Sequence, residues 1–309
     1  MAVDRHTYAS TDDLRDYLAG TTYSSGWTSD GSALRRVLEA SSRRIDSYCG
    51  GGTFGAKTAT RTYDIGNGTL IQSPQYHSIA GYSSYEISST SNTVGVIPLD
   101  AWLLSATTVT SYKQTARTES ETLAEGTSND YLLMPYNFSP KTILKLNEDT
   151  SKGFHSGQKT LAIVGSWGYT SDTEEITDLD GAVSSTTATT VAVTSATGLS
   201  PAETILVGSE QMYITSISSN NLTVERGVNG TTAATHSDED AVKSYIYPSE
   251  VVQACLDLSK VTFRNRDLGV TDTLGSGDAN ITRASEESHD VLTTVDAYRA
   301  VGLSNAIIF

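Results

Sequence analysis

The middle of the chain consists of short runs of β-branched and aromatic residues that glycine, asparagine and proline interrupt. A first series of such runs lies at residues 61–64, 104–112, 130–133, 142–146 and 159–167. A second series lies at residues 190–194, 204–207, 211–217 and 221–226. Val, Ile, Thr and Tyr favour the pleated backbone of strands, and the interrupting residues tolerate the dihedral angles of turns. The pattern therefore predicts two blocks of short, twisted strands.

Helical patterns flank these two blocks. Ser10 can cap a first helix, because its hydroxyl and the carboxylate of Asp13 can each accept a backbone N–H from the other residue. A second helix has apolar residues spaced by three, four and seven positions from Leu34 to Tyr48, and three glycines follow it. A third begins near Pro248, where a missing N–H costs nothing. We expect the first two to form an antiparallel or crossed pair against which the third packs.

These patterns predict an α+β fold. Its parts are a small helical bundle (two N-terminal helices plus a C-terminal helix), a β-rich middle block, an inserted all-β module and an extended C-terminal tail. The corresponding ranges are 1–57 (N-terminal helical part of the body), 58–178 (β-rich block), 179–245 (inserted module), 246–268 (helix completing the body) and 269–309 (tail). The polar residues 72–92 are expected to form an exposed excursion, and the acidic residues 172–180 a solvated turn.

The charge of the chain limits its partners. With 36 acidic and 21 basic residues, it has a formal net charge of −15 at pH 7. Affinity for DNA comes mainly from clusters of Lys and Arg, so this charge argues against binding in a DNA groove. The N-terminal residues lack the apolar run of a signal peptide, and no stretch approaches the ~20 apolar residues of a membrane span. We therefore expect no membrane partner and a protein that acts in the cytoplasm or in a particle assembled there.

No catalytic, metal or cofactor site is predicted. Cys49 and Cys255 have no second cysteine nearby, so we expect buried, reduced thiols. The five histidines lie in separate segments, without the spacing that helical metal ligands need. Residues 51–58 fail as a phosphate-binding loop, because Ala56 replaces a required glycine and a helix precedes the segment. Trp167 lies in a segment without the spacing of a nucleophile elbow, and we expect it in the core.

The order of five segments resembles that of a known family. The segments are residues 8–14 (YASTDDL), 38–49 (LEASSRRIDSYC), 129–135 (NDYLLMP), 164–169 (VGSWGY) and 247–254 (YPSEVVQA). Together they are similar to head-tail connector adaptors of tailed bacteriophages, over residues 7–178 and 246–300. The resemblance implies a structural virion protein, not an enzyme, that binds the portal protein and provides the platform for the tail terminator or stopper protein.

The same resemblance implies an assembly and a location. Like the connectors it resembles, the chain is expected to form a ring with itself, of twelve copies, through which the genome passes without sequence-specific DNA binding. The ring would lie in the neck of the virion, at the head-tail interface, after assembly in the host cytoplasm. Strands or loops of the ring would reach toward the next ring.

A further segment resembles a different kind of phage sequence. Residues 222–236 (LTVERGVNGTTAATH) are similar to a β-module scattered through the virion proteins of tailed phages. Because the module interrupts the main block between a strand and a helix, we expect it to protrude from the body, where insertions are best tolerated.

Two arginine pairs lie off the apolar stripe of the second helix, about two turns apart. They are Arg35, Arg36, Arg43 and Arg44. One interpretation is a solvated face with ion pairs to Glu39 and Asp46. The other is an ion-pair seam at the subunit interface, where the basic helix face meets an acidic face of the neighbouring copy.

The C-terminal tail is the predicted portal-docking segment. It is rich in Gly, Ser, Thr and Asp after Gly269, then amphipathic, and it ends in apolar residues. Such a segment can gain apolar burial by ordering on contact with a partner. The residues expected to make this contact are Val291, Leu292, Tyr298, Arg299, Ile308 and Phe309.

A rival function comes from the aromatic content of the strand-rich blocks. A carbohydrate-binding or carbohydrate-cleaving virion surface protein would use exposed aromatic side chains as sugar platforms, and Trp27, Trp102 and Trp167 are the candidates. Against it, the three tryptophans lie in different segments, and the helical flanks would have no evident role.

Overall fold

The structure is a computed structural model that describes residues 4–19, 31–65, 95–113, 117–270 and 284–299. The chain divides into two compact units: the first combines Met1–Gly55 with Ser171–Arg299, and the second comprises Ala56–Thr170. Both helical ends and the second series of strands therefore belong to one unit. The finer domain boundaries given above stay predictions, and the predicted excursion at residues 72–92 lies outside the described residues.

Antiparallel sheet dominates the architecture. The described residues form two sheets of six strands each and four α-helices. The helices are α1 (Thr11–Leu18), α2 (Gly31–Cys49), α3 (Ser249–Val270) and α4 (Ala284–Thr293). The predicted α+β fold built on a small helical bundle is therefore wrong. The helices do pack against one another, but they account for only 22% of the structure, so the two sheets and not a helical bundle make up most of the fold.

The prediction of an extended C-terminal tail is wrong for the part that the structure describes. After α4, the chain forms a short 3-10 helix (Asp296–Tyr298), and α4 packs against α3. Leu292 and Val295 are buried. The polar segment before α4 suggested a free tail. Instead, the apolar residues Leu292 and Val295 pack into the chain's own first unit.

Small side chains allow α2 and α3 to pack closely. Ser259 Oγ donates to Ser41 Oγ at 2.9 Å, and Ser42 Oγ lies 3.5 Å from the sulfur of Cys255. At the start of α1, the capping box predicted for Ser10 is confirmed, since its hydroxyl and the Asp13 carboxylate each accept the other's backbone N–H.

The second unit contains the first sheet. Its strands are β1 (Lys57–Ile65), β2 (Val96–Tyr112), β3 (Ser120–Leu123), β4 (Tyr131–Met134), β5 (Lys141–Leu146) and β6 (Gly157–Trp167). They are ordered β1-β6-β2-β5-β4, and β3 also pairs with β2. The long strand β2 pairs with β5 at its beginning and with β6 in its second half. The five strands predicted for this block are confirmed, because each overlaps an observed strand.

The strands β2 and β6 approach each other most closely at Gly165. A Cβ atom at this position would lie 2.2 Å from the carbonyl oxygen of Ser105, so no other residue fits without moving the backbone. The core of the unit includes Leu103, Leu144, Phe154 and Trp167.

The first unit contains the second sheet, which closes into a small barrel. Its strands are β7 (Thr173–Asp178), β8 (Thr190–Ala192), β9 (Thr204–Val207), β10 (Glu210–Ser218), β11 (Asn221–Glu225) and β12 (Ala241–Tyr245), in the order β7-β12-β9-β10-β11-β8. The outer strands meet where Thr194 N–H donates to the Asp178 carbonyl at 2.9 Å and Asp180 N–H donates to that of Ala192 at 3.0 Å. The four strands predicted for this block are confirmed by overlap with β8 to β11.

The acidic residues 172–180 do not form the solvated turn that we expected. Residues 173–178 are strand β7, which pairs with β12. Glu174 and Glu175 are exposed on this strand. Charged side chains are common on outer strands because they discourage pairing with other chains, and they masked the strand pattern. The barrel interior is filled by aliphatic residues and Met212.

Candidate functional site

The four arginines of α2 have different surroundings. Arg36 and Arg44 are exposed, whereas Arg35 donates to the carbonyl of Thr215 at 3.2 Å. Arg43 is held within its own unit: its guanidinium lies 3.2 Å from the Asp4 carboxylate and 2.9 Å from that of Asp46. Arg43 is therefore committed to contacts inside the chain, and the ion-pair seam at a subunit interface stays a prediction for the exposed Arg36 and Arg44.

Four of the six predicted portal-docking residues are described, and they lie against the chain's own first unit. Leu292 is buried and Val291 is half-buried. Tyr298 donates its hydroxyl to Glu250 at 3.0 Å, and the Arg299 guanidinium lies 5.1 Å from the centre of the Tyr48 ring. Ile308 and Phe309 lie outside the described residues.

Tyr8 is the centre of a buried cluster that joins three distant segments. Its hydroxyl donates to Asp46 and accepts the N–H of Phe54 at 3.0 Å, while its own N–H donates to Ser42 at 3.1 Å. Its ring meets that of Tyr247 edge to face, with 5.0 Å between centroids. Burial, followed by the charge of Asp46, raises the pKa of Tyr8 well above its usual value. The hydroxyl therefore stays protonated and acts as a structural donor.

A buried ionic cluster, defined here as the Glu210 cluster, forms around the first residue of β10 in the barrel. It consists of Glu210, Arg226 and His236. Arg226 binds the carboxylate in a bidentate manner at 2.6 and 2.7 Å, and His236 Nε2 lies 2.8 Å from the same group. Backbone N–H groups of Gly227 and Ala234 also donate to it. Arg226 and His236 stand at the two ends of the loop in the module-like sequence, so this motif organises the barrel.

The most exposed aromatic side chains in the described part of the chain lie at the aromatic tip, defined as residues 135–140 between β4 and β5. Tyr136 is 53% exposed and Phe138 is 73% exposed. Lys141 Nζ donates to the carbonyls of Pro135 at 2.6 Å and Tyr136 at 3.0 Å, and these two hydrogen bonds hold the backbone of the tip in place. The tip itself carries no charged residue. An uncharged, fixed aromatic tip has the composition that protein interfaces favour.

The groups that could support catalysis or bind a metal have structural surroundings. Burial raises the pKa of Cys49 to about 12 and that of Cys255 to about 11, so both thiols are unreactive. His6 Nδ1 lies 2.9 Å from the Tyr247 hydroxyl, and His155 Nε2 lies 3.4 Å from Glu121. Within the residues that the structure describes, no three His, Cys, Asp or Glu side chains are grouped so that they could hold a metal ion.

The tryptophan side chains that suggested a sugar platform are mostly inside the protein. Trp102 is 4% exposed and Trp167 is 1% exposed, so neither ring can stack on a sugar. The expectation that Trp167 lies in the core is confirmed. Trp27 lies outside the described residues.

Glu203 is a carboxylate whose surroundings disfavour its charge. It accepts the N–H of Ser200 at 3.1 Å, and Asp12 accepts the hydroxyl of the same serine at 2.5 Å. Burial raises the pKa of Glu203 to about 7, and the charges of Asp13 and Asp12 add to the effect. The folded state therefore binds this proton more tightly than the unfolded state, and Glu203 lowers stability as the pH rises from about 4.5 to 7.

The Glu203→Gln variant should be more stable than the wild type at pH 8, by up to about 3 kcal/mol, and equal to it at pH 4.5. Gln keeps an acceptor for Ser200 and removes the charge. Urea unfolding at the two pH values measures the difference. Glu174→Gln, on the exposed side of β7, is the matched control and should not show this pH dependence. Equal stability of Glu203→Gln and wild type at pH 8 would contradict the prediction.

Comparison with known proteins finds no match among protein-family models, curated proteins or solved structures. No helix among the described residues has the length and apolar character of a membrane-spanning helix.

Proposed function

We propose that the chain is a structural adaptor of a phage head-tail connector. It binds the portal ring, forms a ring with copies of itself, and provides the platform for a tail terminator or stopper protein, while the genome passes through. Its net charge of −15 fits a ring that DNA passes without being bound.

The observation that carries the proposal is the meeting of the resembling segments. Tyr8 belongs to the first of them, Ser42 and Asp46 to the second, and Tyr247 to the last, and these side chains contact one another in one buried cluster. Segments that share only an order along the chain need not touch. Here three of the five segments, from both ends of the chain, meet in the packed first unit, and the other two, residues 129–135 and 164–169, belong to the second unit.

The aromatic tip supplies a contact surface for the next ring. Two exposed aromatic rings on a fixed, uncharged loop can enter a pocket of a partner with little loss of side-chain entropy. The resemblance leads to the expectation that loops reach toward a neighbouring ring, and this tip is the described loop with the most exposed apolar surface.

The experiment is negative-stain electron microscopy of the protein alone and with the portal from the same particle. We expect rings on the tail-facing end of the portal, and binding of a stopper or terminator protein to those rings. Unaltered portals beside free protein, at low salt that preserves ion pairs, would contradict the proposal.

The Tyr136→Ser/Phe138→Ser variant should bind the neighbouring ring protein at least about 30-fold more weakly, because truncated interface hot spots cost about 2 kcal/mol or more. Titration by biolayer interferometry with the stopper and with the portal would measure the loss. Ile246→Ser, which removes an exposed apolar side chain of the first unit, is the matched control and should bind normally. Wild-type affinity of the double variant for both proteins would rule out the tip as the contact.

A further inference from the structure

The N-terminal segment Asp4–Thr7 lies along the barrel and is bound there through its backbone. The N–H of Arg5 donates to Asn229 Oδ1 at 2.8 Å, and the carbonyl of Arg5 accepts the hydroxyl of Thr204 at 2.6 Å. Thr7 donates its hydroxyl to the carbonyl of Ala202. Both polar backbone groups of one residue are thus recognised by side chains of strands or loops about 200 positions away, which is how proteins hold an extended peptide.

The side chain of Arg5 is recognised in a way that suits only a guanidinium group. Its Nε and Nη2 donate to the two oxygens of Glu225 at 2.8 and 3.0 Å, and Nη1 donates to Glu39 at 3.1 Å. The group also lies over the Tyr213 ring, 5.2 Å from its centre. A planar fork can satisfy two carboxylates and one aromatic face together, whereas an ammonium group cannot match this geometry.

Several of the groups that surround Arg5 have further contacts of their own. Tyr213 donates its hydroxyl to Glu39 at 2.8 Å, and Asn229 Nδ2 donates to Gln211 at 2.8 Å. Tyr213 and Glu225 lie on the neighbouring strands β10 and β11. The positions of Glu39, Tyr213 and Asn229 are therefore fixed in part by contacts other than those to Arg5, and groups fixed in this way bind with less reorganisation.

We propose that this face of the barrel is an arginine-recognition site for an extended segment, and that the chain's own N-terminal segment is its resident ligand. Glu225 and Glu39 bind the guanidinium, Tyr213 stacks beneath it, and Asn229 and Thr204 bind the backbone of the same residue. The site is independent of the proposed connector function, because it needs no partner from a virion.

The test removes the guanidinium and returns it as a small molecule. In Arg5→Ala, the missing atoms correspond to ethylguanidinium, which is the probe. We expect the variant to melt about 5 °C below the wild type, and ethylguanidinium at millimolar concentration to raise its Tm saturably by about 2 °C. Ethylammonium has a positive charge but no planar fork, and it should not raise the Tm of Arg5→Ala. Ethylguanidinium should not raise the Tm of the wild type or of the Arg5→Ala/Glu225→Gln variant.

Arg15→Ala is the matched control, because Arg15 forms an ion pair with the exposed carboxylate of Asp12 on the surface of α1. Its Tm should not respond to ethylguanidinium. A folded Arg5→Ala variant that responds equally to both cations, or to neither, would overturn the proposal. If Arg5→Ala does not fold, the Tm of Arg5→Lys is the test. A Tm of Arg5→Lys equal to that of the wild type would show that the site requires only a positive charge and would also overturn the proposal.

Discussion

The Arg226→Met variant should lose about 3 to 5 kcal/mol of the unfolding free energy of the first unit. Arg226 is the cation that neutralises the fully buried Glu210, and all of its N–H groups face acceptors of the barrel. Besides Glu210, these are the carbonyls of Ser185, Ala188 and Ala234. Met fills a similar volume but leaves a buried carboxylate without its main partner, and that penalty exceeds the cost of lost packing.

The double variant Glu210→Leu/Arg226→Met should be less destabilised than Arg226→Met alone. Removing both charges also removes the cost of burying one of them, and apolar replacements of buried ion pairs are often neutral. The comparison of the double variant with Arg226→Met is decisive. If Arg226 had a purely steric role, the double variant would be less stable than Arg226→Met.

The acid dependence of stability should change in the same variants. Burial opposes the charge of Glu210, but hydrogen bonds from Arg226, the Ala234 N–H and His236 lower its pKa to about 2. A lowered pKa means that the cluster stabilises the fold above the unfolded value of about 4.5 and loses this contribution as the pH falls toward 2. Without Arg226, the loss should begin at higher pH.

Hydrogen exchange in β10 and β11 and urea unfolding of the whole chain would measure these effects. Arg15→Met is the matched control, because the exposed pair with Asp12 should contribute less than about 1 kcal/mol. A change below about 1 kcal/mol in Arg226→Met would show that the Glu210 cluster does not determine the stability of the barrel.

Local patterns predicted the individual elements better than the architecture. Alternating β-branched residues located nine strands, and the capping box located the start of α1, because each signal depends on neighbours along the chain. Strands β3, β7 and β12 escaped detection, since β3 has only four residues, β7 is acidic and β12 is a run of five mixed residues. The bundle failed for a different reason: the apolar stripes located helices that do pack together, but no local pattern shows that two six-stranded sheets make up most of the fold.

The candidate sites show the same limit. The sequence marks Arg43 as one of four similar arginines, and only the fold shows that Asp4 and Asp46 bind it. The Arg5 site was missed because its parts come from residues 5, 39, 204, 213, 225 and 229, which no local pattern connects. The aromatic tip had a local signal, an aromatic pair between two prolines, but its exposure becomes evident only when both strands are placed.

Trp167→Ala should be the most destabilising single change in the second unit, at about 3 to 5 kcal/mol. The side chain is 1% exposed at the end of β6, and it packs in the core with Leu103 and Leu144. Its Nε1 donates to the carbonyl of Ala59 at 3.0 Å, and the Arg61 guanidinium lies 5.0 Å from the centre of its ring. Removal would therefore create a large cavity, take the side-chain donor away from the Ala59 carbonyl, and remove the ring that the Arg61 guanidinium contacts.

Trp167→Phe should lose less than Trp167→Ala, because it keeps most of the apolar volume and loses only the donor and part of the ring. Tyr136→Ala is the matched control, since that aromatic ring is 53% exposed in the same unit and should change stability by less than about 0.5 kcal/mol. Hydrogen exchange would locate the effect, which should appear as lost protection in β1, β2 and β6, the strands that meet at Trp167. Unchanged protection of these three strands in Trp167→Ala would mean that the core of this unit does not depend on the tryptophan.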